Sequence, residues 1–495
     1  MAVTEPSDDN APLYAARTPI FPKDVKGWFR RFKWQVMAIT LGIYYVTPWL
    51  RWDRGPHMPD QAVLVDLASR RFFFFWIEIW PTEFYYVAGM LIMAGLGLFL
   101  FTSILGRAWC GYACPQTVWT DLFLAVERWI DGDRNAQIRL WNRRWDAHKW
   151  RVRLTKYAIW LLIAVATGGA WVFYFTDAPR LAVGLVTGDA PFAAYACIAL
   201  LTATTFTFGG FMREQICLYA CPWPRIQAAM MDERTLTVTY RDWRGEPRGK
   251  ARKTARAAGH TTAQTAGHAA GPAPKRGDCV DCNACVAVCP AGVDIREGMS
   301  LGCITCGLCI DACDDIMGRL GRPRGLIDYV SLEGGEAEQR GAAPKGMLAS
   351  ILRPRTIVYF TLWGSIGLAM LVVLALRDKV DLRVAHDRNP TFVTLSDGSV
   401  RNGYEVTVAN RLPREQLFAL TVEAEVPLEA RLAVGEGMEF AVAPDRTGTV
   451  RLFLTAQPVQ RAGGPVEVTL TVENLTTNER ESRETIFVGL EEIGP

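Results

Sequence analysis

The sequence predicts a multidomain chain: a polytopic α-helical membrane domain of about five spans, an α+β module of the two-cluster bacterial ferredoxin kind, and a C-terminal β-sandwich. Three observations predict it. Four uncharged apolar runs are each 20 residues or longer, eight cysteines fall in two evenly spaced runs, and the C-terminal part alternates apolar and polar positions between turns. A length of 495 residues agrees with roughly three domains. With 54 Lys and Arg against 51 Asp and Glu, the chain lacks the basic excess of a nucleic-acid binder. Its half-apolar composition excludes a disordered or fibrous chain.

The uncharged runs are Phe84–Gly106, Tyr157–Thr176, Ala190–Met212 and Thr356–Leu376, of 23, 20, 23 and 21 residues. A hydrocarbon layer of ~30 Å needs about 20 helical residues, so each can cross it. Trp34–Leu50, 17 uncharged residues with Pro48 near its exit, is the fifth expected span. No apolar core precedes Trp34, so a cleaved signal peptide is not indicated. Lys and Arg crowd residues 17–33, 107–153 and the stretch after Met212, whereas Asp177–Asp189 has one Arg. By the positive-inside rule the N-terminus and residues 213–355 are cytoplasmic and the tail is outside. The first outer loop, Arg51–Glu83, carries four Arg and is the weak vote. Phe72–Pro81 reads as an interfacial aromatic anchor, with a quinone-head site at Glu78 as its rival.

The expected divisions are residues 1–33 (cytoplasmic segment), 34–243 (membrane domain with four spans), 244–277 (linker), 278–335 (dicluster module), 336–355 (connection), 356–376 (last span) and 377–495 (extracytoplasmic domain). The linker is Ala/Gly/Thr-rich and basic, and His260 and His268 within it read as accidental. The last division has no Cys, and six short alternating runs such as YEVTVAN and PVEVTLTVEN predict about seven strands.

The strongest chemical signal is Cys279-x2-Cys282-x2-Cys285-x3-Cys289-Pro290 followed by Cys303-x2-Cys306-x2-Cys309-x3-Cys313. This is the spacing of two-cluster bacterial ferredoxins, in which the fourth cysteine of each run reaches the other cluster. One [4Fe–4S] cluster then takes Cys279, Cys282, Cys285 and Cys313, and the other Cys303, Cys306, Cys309 and Cys289. Zinc sites use paired Cys-x2-Cys knuckles rather than triplets, and a cytoplasmic module has no disulfide framework. Two clusters in one module make a wire for single electrons.

A second pattern repeats. Cys110-Gly-Tyr-Ala-Cys114-Pro115 follows one long span and Cys217-Leu-Tyr-Ala-Cys221-Pro222 follows another, each after an Arg, Arg107 or Arg213. Residues i and i+4 share a helix face, and a proline ends the helix before it, so each pair sits at a helix end on the cytoplasmic side. Thiolates there suit Cu(I) among few metals, or form a dithiol/disulfide couple, with the two Arg favouring the thiolate. The competing reading, free Cys packed as small hydrophobes, is adopted for Cys197 within a span. All five His lie outside the predicted spans and there is no Cys-x2-Cys-His, which removes bis-His membrane haem and attached haem. No Gly-x-Gly-x-x-Gly or Walker loop supports nucleotide binding.

With these residues in view the chain resembles the cytochrome c oxidase accessory proteins called CcoG, also FixG or RdxA. The resemblance rests on RAWCGYACPQTVWTDLF, REQICLYACPWPRIQAAMMDE, GDCVDCNACVAVCPAGVDIR and CITCGLCIDACDDIMGRLGRPRGLIDY. It covers nearly the whole chain, and it implies an immunoglobulin-like C-terminal domain. The Cys-x3-Cys-Pro pairs are also similar to those of NapH- and NosR-like membrane ferredoxins; one ferredoxin module followed by a terminal β-domain favours CcoG. The resemblance implies a multi-pass protein of the bacterial inner membrane, with the β-domain periplasmic. It further implies a cupric reductase, reducing Cu(II) to Cu(I) for assembly of a cbb3-type oxidase. The eight module cysteines would hold two [4Fe–4S] clusters, and Cys110, Cys114, Cys217 and Cys221 would bind or reduce copper. Its partners would be oxidase subunits or a copper chaperone or transporter, with a cytoplasmic electron donor; self-association stays open.

Two rivals remain. A quinone-linked ferredoxin-type carrier would exchange electrons near Glu78 or Trp80. A non-enzymatic assembly scaffold would use the β-domain to bind oxidase subunits.

Overall fold

The protein is described as a computed structural model covering residues 19–56, 58–249, 277–342, 351–376, 380–412, 414–433, 437–444, 446–457 and 465–489. The chain divides into two compact units: residues 1–50, 63–74 and 78–368 in the first, and 51–62, 75–77 and 369–495 in the second.

The first unit begins with α1 (Trp28–Val46), the hairpin strands β1 (Val63–Asp66) and β2 (Arg71–Phe74), and all but the first residue of β3 (Ile77–Ile79). It continues with α2 (Tyr85–Leu105), the short α3 (Ala108–Tyr112), α4 (Pro115–Asp131), α5 (Ala147–Val172), α6 (Phe192–Gly210) and α7 (Trp223–Met230). Among the described residues four helices are long and apolar enough to cross a membrane: α2, α5, α6 and Pro354–Ala375. On α2 only Tyr86, Thr102 and Ser103 are fully buried, so part of its apolar surface faces outward, as a helix in lipid requires, while Gly97 and Met93 meet Trp363 of Pro354–Ala375. Cys197 is likewise exposed on α6, so it does not pack inside the protein as its sequence suggested.

The expected span at 34–50 differs in its bounds. Its helix starts at Trp28, six residues earlier, and Pro48 ends it in a single 3-10 turn, Thr47–Trp49. The early start is made by charge. Arg30 and Lys33 are buried because Asp121 on α4 neutralises them, Arg30 at 2.8 Å and Lys33 at 3.8 Å. The other end of α1 reaches the far end of α5, where the Tyr44 hydroxyl donates to the Thr167 carbonyl at 2.8 Å. At the near end of α5, Lys156 pairs with Asp131 at 2.7 Å and Glu127 at 3.1 Å, both on α4. Thus α1 runs alongside α5 over the same depth.

Much of Phe72–Pro81, read from sequence as an interfacial aromatic anchor, lies in strands β2 and β3. Val63–Asp66 pairs with Arg71–Phe74, Phe73 is buried, and Val65 N–H donates to the Tyr174 carbonyl beyond the end of α5. Glu78 accepts from Arg71 at 3.0 Å, and the Arg71 guanidinium lies 3.7 Å from the Trp80 ring centroid.

The cysteine-rich module is larger than residues 278–335. Strand β4 (Thr237–Tyr240) pairs antiparallel with β5 (Ile327–Val330), and α8 (Leu308–Arg319) packs beside them. Both ends of the expected linker join this module: Arg244 pairs with Asp278 at 2.6 Å, and Gly249 N–H donates to the Cys279 carbonyl. Most of the linker, with His260 and His268, lies outside the described residues, as does His57. The module is fixed to the bundle through Leu236 N–H, which donates to the Ile104 carbonyl at the end of α2, and through Arg355, in the first turn of α9 (Pro354–Ala375), which pairs with Asp232 at 3.1 Å.

Among the described residues the second unit contains nine strands where about seven were expected. Strands β6 (Val380–His386), β7 (Val393–Thr394), β8 (Val400–Asn410), β10 (Glu429–Leu432) and β12 (Thr447–Ala456) form one sheet. Strands β9 (Gln416–Ala424), β11 (Glu439–Val442), β13 (Val466–Asn474) and β14 (Arg480–Phe487) form the other, in order β11-β9-β13-β14. The inward residues alternate: Val466, Val468, Leu470 and Val472 of β13 join Tyr404, Val406 and Val408 of β8 in one core. The count rises because β7 and β10 have only two and four residues, too short for alternation to register.

Candidate redox and thiol site

The two cysteine runs fold alike. Asp281 and Asn283 flank Cys282, and Thr305 and Gly307 flank Cys306; all four have positive φ, between 47° and 72°. Left-handed residues on both sides of the central cysteine curl each run around a centre. Gly supplies that conformation at one of the four places, and Asn and Asp tolerate it at two. The last cysteine of the second run, Cys313, sits one helical turn after Cys309 on α8.

Two small cavities result. The first is lined by Cys279, Cys282, Cys285 and Cys313, the second by Cys289, Cys303, Cys306 and Cys309, with Cys285 at its edge. Each therefore receives the fourth cysteine of the other run. Apolar side chains fill the rest: Val280, Met317 and Ile327 around the first, Val238, Val293 and Leu308 around the second. Backbone amides approach the sulfurs, Val293 N–H at 3.3 Å from Cys289 Sγ and Thr305 N–H at 3.4 Å from Cys303 Sγ. Burial pushes the Cys285 thiol up to about 11 and those of Cys289 and Cys313 up to about 12. Four such thiols around an apolar cavity are costly to ionise alone, and a multiply charged metal core removes that cost. Among the described residues no three His, Cys, Asp or Glu converge on a single metal ion. Sulfurs spread around a cavity suit a polynuclear core, so the donor set fits [4Fe–4S] groups.

The Cys-x3-Cys-Pro pairs lie against the second cavity. Cys110, on α3, is buried in one cluster with Ile304, Cys306 and Leu308. Gly111 touches the same loop so closely that a Cβ there would lie 2.6 Å from the Ile304 carbonyl oxygen. The Tyr112 hydroxyl donates to the Cys306 carbonyl at 2.8 Å, and the Arg107 guanidinium donates to the Leu301 carbonyl. Cys110 Sγ donates to Gln227 Oε1 at 3.1 Å, and fully buried Gln227 donates in turn to Thr102.

Both pairs end in the same local bond. Cys114 N–H donates to the Trp109 carbonyl and Cys221 N–H to the Ile216 carbonyl, each five residues back. The wide turn lets the second cysteine leave the helix as an extended residue before its proline. The second pair differs in that Ile216–Ala220 is wholly a π turn rather than a helix end.

The four thiols share one neighbourhood, although among the described residues no three of them converge on a single metal ion. Cys114, Cys217 and Cys221 all act on Cys110 and help raise its pKa to about 12, chiefly through burial, while Arg107 pulls it down. Cys217 is raised to about 11 in the same way. Arg213 does not take the role expected of it: it pairs with Glu127 at 2.8 Å and lies over the Trp160 ring. The repeat is also unequal, since Tyr219, the counterpart of Tyr112, is 72 % exposed. Sequence reasoning missed Gly111, Tyr112 and Gln227 as site residues. The available signal was the one inner position where the repeats differ strongly in size, Gly111 against Leu218.

Comparison with known proteins adds the following. Residues 212–332 match a family described as a 4Fe-4S dicluster domain, residues 87–133 a 4Fe-4S binding domain, and residues 370–490 an IG-like fold at the C-terminus of FixG. Protein RdxB of Cereibacter sphaeroides is 55% identical, over 98% of this chain and 99% of its own. Protein RdxA of the same organism is 58% identical, over 90% and 91%. The nitrogen fixation protein FixG of Rhizobium meliloti is 53% identical, over 95% and 92%.

Proposed function

The chain belongs to the FixG/RdxA family and is an iron–sulfur electron-transfer protein, and from that premise we propose that it reduces Cu(II) to Cu(I) for assembly of a cbb3-type oxidase. When bound, two [4Fe–4S] groups supply one-electron carriage. Cys279, Cys282, Cys285 and Cys313 hold one, and Cys303, Cys306, Cys309 and Cys289 hold the other. Cys110, Cys114, Cys217 and Cys221 receive copper. Each Cu(II) takes one electron, and soft sulfur then retains Cu(I) until an oxidase subunit or a copper chaperone removes it.

The single observation that carries this reading is the packing of Cys110 against Ile304 and Cys306, with the Tyr112 hydroxyl on the Cys306 carbonyl. It puts the first thiol pair in direct contact with the backbone of the second cysteine run. Arg107 stands beside Cys110 and Cys217, where it favours the thiolate form that metal binding needs.

In this reading the protein sits in the bacterial inner membrane with the cysteine module cytoplasmic and the β-domain periplasmic. The Lys/Arg distribution supports that orientation. So does the bundle, where Arg30, Lys156, Arg213 and Arg355 all pair at the end carrying the module.

A quinone at Glu78 or Trp80 is disfavoured. Glu78 is bonded to Arg71, and the 21 residues of α2, roughly 30 Å of helix, separate that region from Cys110. The test of the copper reading is the double variant Cys110→Ser/Cys217→Ser, purified in detergent and supplied with dithionite and Cu(II). Cu(I) captured by a chromogenic chelator should be lost while the cluster EPR signals persist. Unchanged copper reduction overturns the reading.

A further inference from the structure

A cavity of about 130 Å³ lies beside the second thiol-lined cavity, where the bundle meets the cysteine module. The bundle lines it with Arg107 and with Ala228 of α7, and the module with Thr237 of β4 and with Leu301, Cys303 and Thr305. Arg107 and Thr305 are not among the residues lining the second cluster cavity itself. An apolar cavity of about 150 Å³ admits benzene, so this one has room for a small organic ligand.

Two buried polar groups in the lining lack partners. Arg107 is 3 % exposed; its Nη1 donates to the Leu301 carbonyl, and its Nε has no partner. Thr305 is 5 % exposed, and its Oγ1 has no partner either. Arg107 is the one charged residue of the lining. Arg30 and Arg213 are each matched by an acid, whereas no carboxylate lies within ion-pair distance of Arg107 among the described residues. A guanidinium stays charged at any ordinary pH, and a buried charge or hydroxyl without an acceptor is costly.

We infer that this cavity binds a small monocarboxylate anion, and that its occupation disfavours reduction of the second cluster. A guanidinium presents paired donors that match the two oxygens of a carboxylate. One carboxylate balances the one cation, where a phosphate dianion would bring excess charge, and the Thr305 hydroxyl adds a donor. Ala228, Val238 and Leu301 receive a short hydrocarbon body. The same guanidinium opposes a metal cation, so the thioethers of Met231 and Met299, also in the lining, are not a copper site. Met299 is 59 % exposed, which gives entry from water. Arg107 acts electrostatically on Cys303 as well as on Cys110 and Cys217. An anion on Arg107 offsets that action, and a negative charge near the cluster opposes the gain of an electron. This second half rests on the assignment of Cys303 to the second cluster made above.

The test is calorimetric titration of the detergent-purified protein with sodium propionate, a probe smaller than benzene, with sodium chloride holding ionic strength constant. Wild type should bind saturably, and dithionite-reduced protein should bind at least threefold more weakly, as linkage between the two sites requires. Arg107→Lys keeps the charge but loses the paired donors, and Ala228→Leu fills the cavity without altering a charge or a thiol; each should weaken binding at least tenfold. Thr305→Val should weaken it severalfold. Cluster EPR signals should persist in all three variants. Absence of saturable binding by wild type, or equal binding by wild type and the variants, overturns the inference. Equally tight binding of inorganic phosphate overturns the choice of a carboxylate. Equal binding by oxidised and reduced protein overturns the redox half. Propionate binding by wild type that shows a single EPR-active cluster would remove the cluster assignment and leave the carboxylate site standing.

Discussion

The Tyr112 hydroxyl donates to the carbonyl of Cys306 at 2.8 Å, so the middle of the first Cys-x3-Cys-Pro pair is bonded to the middle of the second cysteine run. Tyr112 also packs edge-on against Phe32, and the Tyr329 hydroxyl donates to the neighbouring Thr305 carbonyl. Two tyrosines thus grip adjacent carbonyls of one loop. A neutral hydrogen bond of this kind contributes about 0.5–1.5 kcal/mol. Tyr112→Phe keeps the ring and its packing, so the loop should persist. The expected outcome is a modest shift in the EPR signal or potential of the second cluster, with the first unchanged. Redox titration of the variant beside wild type checks it; identical shifts in both clusters would contradict the assignment of Tyr112 to the second.

Gly111 makes a steric version of the same claim. A methyl group there meets the Ile304 carbonyl at 2.6 Å and Cys306 Cα at 3.0 Å, backbone atoms that cannot swing away. Overpacking of this kind costs about 1–3 kcal/mol. Gly111→Ala should lower the midpoint of thermal unfolding in detergent and disturb the second cluster. Leu218→Ala, at the counterpart position and 36 % exposed, should do neither. Circular dichroism melts of the two variants make the comparison.

These contacts mark the border of what the sequence disclosed. Cysteine spacing, uncharged runs and strand alternation are local signals, and they led to the module, the spans and the sandwich. The pairing of Thr237–Tyr240 with Ile327–Val330 joins residues about 90 positions apart, and no local pattern announces it. The burial of Arg30 and Lys33 depends on Asp121, which the sequence shows only as one acid in an amphipathic stretch. Gly111 was legible as an odd member of a repeat, but what it touches was not.

Arg296 governs the first run as the tyrosines govern the second. Its guanidinium reaches Asp281 at 2.7 Å and Asn283, the two left-handed residues flanking Cys282, and is itself held by Asp294 at 2.6 Å. Arg296→Ala frees both turns. The first cluster should become labile to oxygen, seen as loss of about half the iron and sulfide per protein, with the second cluster's signal retained. Retention of full iron content would show that the turns hold without the clamp.

A third cluster of charge lies at the membrane edge. Glu127 is buried between Arg213 at 2.8 Å and Lys156 at 3.1 Å, and Lys156 also meets Asp131. Removing one partner of a buried network leaves uncompensated charge and costs roughly 3–5 kcal/mol. Glu127→Ala should therefore destabilise strongly. Glu127→Gln, which keeps hydrogen bonding but not charge, should fall between. Detergent-resistant folded fraction after heating ranks the three proteins, and a Glu127→Ala variant as stable as wild type would exclude a structural role for the network.

The Arg296 clamp also predicts a dependence on pH. Hydrogen bonding to Arg296, aided by the Arg296 backbone N–H, holds the Asp294 carboxyl below its usual range. A carboxylate whose folded value is depressed stabilises the fold fully above its unfolded value, about 3.9, and the contribution disappears as pH falls through the folded value. Asp294→Asn lacks that contribution at every pH. The stability difference between wild type and Asp294→Asn should accordingly be constant from pH 7 down to about 5 and shrink below about 4. Chemical unfolding of the two proteins, followed at each pH by near-ultraviolet circular dichroism, measures the difference. A gap that widens on acidification would mean that Asp294 is not the ionised partner of Arg296.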